Sequence, residues 1–177
     1  MKKLGLLTIV AVIIMMIPSL AAAQTATGTL TVTATVNSSI NLVFNSDAGG
    51  VTLSSGGGTN TATLNFGNVS AFGAISAGIT RSTTATTFTV STPVDVLVTK
   101  ANSASANYTL KAQLGAADAV NTWQVAGNTV TNAAQTTITA TGAYGANVPN
   151  AIALTVPFTT ANATAISNTI NFTATAN

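Results

Sequence analysis

From Thr27 onward the apolar side chains recur at every second position, and this period constrains the fold more than any other feature of the chain. Successive side chains of an extended strand point to opposite faces, so a period of two marks strands with one buried and one wet face. Leu30, Val32, Ala34 and Val36 share one such face, Ile40, Leu42 and Phe44 a second, and Ala62, Leu64 and Phe66 a third. The pattern returns at Phe88 and Val90, at Val94, Val96 and Val98, and at Tyr108, Leu110, Ala112 and Leu114. It appears again at Trp123 and Val125, at Ile152, Leu154, Val156 and Phe158, and at Ile170, Phe172 and Ala174. The residues between are mostly Thr, Asn and Lys. Threonine is β-branched and favours strands, and its hydroxyl suits a wet outer face.

Gly- and Asn-rich stretches separate these runs, at 45–50, 54–60, 126–128 and 144–150. Such residues supply the backbone conformations of tight turns. Short strands with turns of this kind predict an all-β domain, an antiparallel sandwich or barrel. No repeat with a period of roughly 20–50 residues is present, which argues against a solenoid.

The chain opens MKKLGLLTIVAVIIMMIPSLAAA, two lysines followed by an apolar run and then small residues. That order predicts a signal peptide over 1–23, and the run is shorter than the roughly 20 residues that span a bilayer. The rest, 24–177, is expected to form a single domain exported to the periplasm, the cell surface or beyond, with no transmembrane segment. Only Arg81, Lys100 and Lys111 then remain against Asp47, Asp95 and Asp118, a formal charge of zero. A near-neutral surface has no basic patch for nucleic acid. With no cysteine, stability has to come from packing and backbone pairing.

The chain contains no histidine, cysteine or glutamate, which removes the usual general bases, thiol nucleophiles and soft metal ligands. Three aspartates, each in a different segment, do not form an acidic calcium loop. The residues therefore point away from an enzyme and from any cofactor or metal. Trp123, Tyr108 and Tyr144 are the aromatic candidates for stacking against a sugar, although most aromatics of the chain fall in phase with core positions. An outer-membrane barrel fits poorly, since several runs are too short and aromatic girdles are missing.

Three segments resemble the spore coat protein U-like and related chaperone-usher pilin domains: Gly28–Leu42 as an opening strand pair, Ala62–Gly73 with its Leu-x-Phe-Gly, and Ile166–Asn177 as a closing strand. The cysteine usual after the first strand of that family is replaced by Ser39-Ile40, and the aromatic often found near the last residue by Thr175-Ala176-Asn177. The resemblance implies an immunoglobulin-like sandwich with an incomplete edge, held by a periplasmic chaperone, delivered to an usher and polymerised with copies of itself or related subunits. In such polymerisation an extended segment adds a strand to an open sheet edge. Leu30, Val32, Ala34 and Val36 form the candidate strand-pairing face, and an ordinary first strand of a closed sandwich would carry the same alternation. The expected function is a non-enzymatic fibre or surface-coat subunit. The alternative is a secreted adhesin or carbohydrate-binding module.

Overall fold

The computed structural model describes residues 27–177, so the signal peptide expected over 1–23 lies outside the described residues. The chain divides between Thr35 and Val36. Of the first unit, Thr27–Thr35 is described and contains no strand. The second unit, Val36–Asn177, holds all nine strands found among the described residues, which include no helix.

The strands are β1 (Ser39–Ser46), β2 (Thr80–Thr83), β3 (Thr87–Ala101), β4 (Tyr108–Leu114), β5 (Thr122–Val125), β6 (Asn128–Val130), β7 (Thr136–Gly142), β8 (Asn147–Pro157) and β9 (Ile170–Ala176). They form two antiparallel sheets, as the period of two predicts. The first runs β1-β3-β8-β5-β6, with β2 also paired to β3, and the second runs β7-β4-β9. The chain is thus an all-β protein of the sandwich class.

β3 is the spine of the first sheet. Its burial alternates along almost its whole length, with Phe88, Val90, Val94, Val96 and Val98 all buried. Pro93 does not break it, for a local reason. β2 pairs with β3 as far as Ser91, and β1 pairs with it from Val94 onward. Proline lacks only a donor, and at Pro93 neither neighbour on that side is in register to use one.

The core lies where the inner face of β3, β5, β6 and β8 meets β4. Val90, Val125, Ile152 and Leu154 from the first sheet pack with Ala112 and Leu114 from the second. Val96 and Val98 similarly meet Tyr108 and Leu110. Fully burying side chains of this size contributes about 1.5–3 kcal/mol each, which is how a chain without disulfides holds two sheets together.

Two of the expected strands are absent. Residues 27–38 form no strand and are exposed; Leu30 is 88% exposed, Val32 80% and Val36 74%. These residues carry the alternation of a strand but are assigned to none among the described residues. Ala62–Phe66 also lies outside any strand, apart from one isolated bridge between Ser55 and Thr63.

Candidate functional site

The two sheets each end in a strand with only one partner. Among the described residues β1 pairs with β3 alone, and β9 with β4 alone, except for one point on β1. There the Phe44 amide donates to Thr59 O at 2.9 Å, and Phe44 O accepts from the Gly58 amide at 2.7 Å. In an antiparallel strand the N–H and C=O of alternate residues point to alternate sides. Phe44 faces outward, so Leu42 and Ile40 face outward with it. Beyond Phe44 this outer edge has no backbone partner among the described residues.

The same parity applies to β9. Thr169 O accepts from the Gly115 amide at 2.7 Å, and the Asn177 amide donates to Asn107 O at 3.1 Å. Odd-numbered residues of this strand therefore face β4. The backbone groups of Ile170, Phe172, Ala174 and Ala176 face away from it, along an edge unpaired among the described residues.

Side chains on these open-edge positions point toward the core but are only half covered. Ile40, Leu42 and Phe44 are half-buried, as are Ile170, Phe172 and Ala174, whereas the alternating positions of β3 and β4 are fully buried. Phe44 and Phe172 meet across the gap, with ring centroids 5.3 Å apart. Around them lies an open cavity of about 1290 Å³, floored by Val94, Val96, Trp123, Ile152 and Leu154. That exceeds the roughly 300–1,000 Å³ of small-molecule pockets. Two half-covered apolar rows thus lie beside backbone edges that are unpaired among the described residues, and such edges can template pairing with another chain.

The Gly-rich hairpin at 54–63 closes one end of the slot. Gly56 and Gly58 adopt φ of 75° and 78°, which brings Gly58 and Thr59 against Phe44. A Cβ at Gly56 would overlap Thr61 O, so the hairpin requires glycine there.

The aromatic candidates are accounted for by packing. Trp123 is 7% exposed and its Nε1 donates to Asp118 Oδ2 at 2.8 Å. Tyr108 is 1% exposed, with Tyr144 against it at 5.3 Å between centroids. Tyr144 is half-buried, donates to Asn107 O at 3.1 Å, and carries the Lys100 ammonium 5.0 Å above its ring. Trp123 and Tyr108 thus offer no free face to a sugar, and the Tyr144 face that Lys100 covers is taken. Among the described residues the exposed aromatics are Phe72 and Phe158, with ring centroids 6.0 Å apart and planes tilted at 48°; nothing in the residue pattern set Phe72 apart.

The structure brings two of the three aspartates together. Burial raises the Asp95 pKa, and the charge of Asp47 and a hydrogen bond with it raise it further. Asp118 behaves oppositely. Burial pushes its pKa up, but bonds from the Asn121 amide, Trp123 Nε1, the Asn121 side chain and the Val120 amide outweigh this and hold it at about 2. Among the described residues no group of three acidic or metal-ligating side chains assembles, and no helix is long and apolar enough to cross a membrane.

Comparisons with protein-family models, with curated proteins and with solved structures gave no match to this chain.

Proposed function

We propose that the protein is an exported, non-enzymatic structural subunit of a surface fibre or coat, and that it assembles by donating Thr27–Val36 to the slot of a second copy. The observation that carries this reading is the pairing of two complementary deficits. The slot has unpaired backbone on β1 and β9 and half-covered apolar rows, while Leu30, Val32 and Val36 are apolar, alternate and exposed. The span Leu30–Val36 has the same number of residues as β9, and at roughly 3.3 Å per residue an extended segment would run the length of that edge. Backbone hydrogen bonds would supply affinity, and the apolar side chains entering the slot would supply register.

On this reading the domain is an immunoglobulin-like sandwich lacking one strand, as in the chaperone-usher pilins it resembles. A periplasmic chaperone would cover the slot before an usher hands the subunit on. The absence of His, Cys and Glu from the sequence supports a non-catalytic role. A carbohydrate-binding module finds less support, because Trp123 and Tyr108 are buried.

The test is the state of association of the chain from Gln24 onward. Light scattering should show concentration-dependent multimers that resist dissociation, and Val32→Asp should leave monomers with an unchanged circular dichroism spectrum. A wild-type chain that remains monomeric at all concentrations, without chaperone, after mild denaturation and refolding would defeat the proposal.

A further inference from the structure

The slot is bordered by a segment whose arrangement differs from the rest of the fold. Between the hairpin at 54–63 and Ser70, residues Leu64–Val69 make no backbone–backbone hydrogen bond among the described residues. Their hold on the domain is through side chains: Leu64, Phe66 and Val69 pack on the core cluster containing Val94, Trp123, Ile152 and Leu154. Burial alternates at Leu64 and Phe66, as a strand's would, and both residues line the cavity together with its floor. The segment therefore covers apolar surface in the way a strand does, without the ladder that would fix a strand there.

Its two ends, by contrast, are anchored. At the leading end the Ser54 amide donates to Thr63 O and the Thr63 amide to Ser55 O, both at 2.9 Å. At the trailing end the Arg81 guanidinium donates to Ser70 O at 2.9 Å and to Gly73 O at 2.7 Å. Gly67 lies between, with φ of 65° and no atom near the position of a Cβ. A strap fixed at both ends and held only by apolar contact in the middle can lift without unfolding the sheets, since local opening tracks the contacts and backbone bonds that must be lost.

We propose that Leu64–Val69 is a displaceable strap that screens the slot's apolar floor in the unpaired subunit and lifts as a strand enters. This rests on the reading of the slot as a strand acceptor, and adds a regulation to it. The strap shields the floor from non-specific partners, and the entering strand must compete with Leu64 and Phe66. Apparent affinity is then reduced by the fraction of time the strap is closed.

The test is hydrogen exchange of the chain from Gln24 onward, at a concentration where it is monomeric, with and without excess synthetic peptide of sequence TGTLTVTATV. The expected result is slowed exchange at Leu42 and Phe172 and faster exchange, or new protease cleavage, within Leu64–Val69. In Leu64→Ser/Phe66→Ser the peptide should bind about tenfold faster, because the competent fraction rises. Arg81→Met, which frees the trailing anchor without touching the core, should act in the same direction. Slowed exchange at the two edges with Leu64–Val69 unchanged, and equal binding rates in all variants, would overturn the strap and leave the acceptor reading standing. Binding seen only in the strap variants would support the strap strongly. Protection at neither edge in any variant would overturn both.

Discussion

Phe44 and Phe172 pack edge to face across the slot, ring centroids 5.3 Å apart and planes inclined at 68°. One belongs to β1, an edge strand of the first sheet, and the other to β9, an edge strand of the second, so this contact bridges the two edges. Phe172→Ala removes it. The cost in chemical denaturation should be about 2 kcal/mol, below the roughly 3–5 kcal/mol of a fully buried Phe because the ring is only half covered. Phe172→Leu should lose less than half as much.

Gly142 lies opposite Tyr108 in the β4–β7 pair, and a Cβ there would overlap the Tyr108 ring. The ring is buried and cannot swing into solvent. Gly142→Ala should therefore destabilise the fold by about 1–3 kcal/mol, as overpacking of a closed core does. The thermal midpoint would report it. The double variant with Tyr108→Leu should recover part of the loss, since the clash goes with the ring.

Asp118 gives a stability that depends on acid. Its folded pKa is about 2, below the unfolded value, so its contribution is present above an unfolded pKa near ~3.9 and is lost as pH falls toward the folded one. Asp118→Asn should cost about 1–2 kcal/mol at pH 7, the worth of charge-assisted bonds to Trp123 and Asn121. In urea titrations at pH 7 and at pH 2, the gap between wild type and variant should narrow at the lower pH.

Asp95 should show the opposite sign. Its pKa is raised by burial and by Asp47, so its ionisation opposes folding, and stability falls as pH rises from below the unfolded pKa through the folded one. Asp95→Asn should raise the denaturation midpoint at neutral pH by a small amount, on the order of 0.5 kcal/mol for a partly exposed pair. A lower midpoint would show that the carboxylate makes a favourable contact instead.

The alternation of apolar residues was legible wherever a strand has one face on the core. β1, β3, β4, β5, β8 and β9 were all visible in this way. β2, β6 and β7 were not, because Thr80–Thr83 has no apolar residue, Asn128–Val130 is three residues long, and Thr136–Gly142 has only Ile138 with one alanine and one glycine. β6 and β7 each place only one large apolar side chain on the core, Val130 and Ile138, and one residue makes no period. Thr27–Val36 and Ala62–Phe66 have the period but no place in a sheet. Alternation records what a strand would bury and not which edge receives it. The slot itself was hidden for a related reason. It is made by backbone at Ile40, Leu42, Ile170 and Phe172 that is unpaired among the described residues, and pairing is a property of topology.

Entry of Thr27–Val36 of one copy into the slot of another, as proposed above, can be measured directly because the sequence has no native cysteine. Val32→Cys and Leu42→Cys are made as separate chains from Gln24 onward, mixed, refolded together and oxidised. Strand donation should give covalent heterodimers joining the two variants, forming faster than either variant links to itself and suppressed by excess TGTLTVTATV peptide. Mixed chains that give no heterodimer, or a rate no greater than for a control with cysteine at exposed Val120, would contradict it.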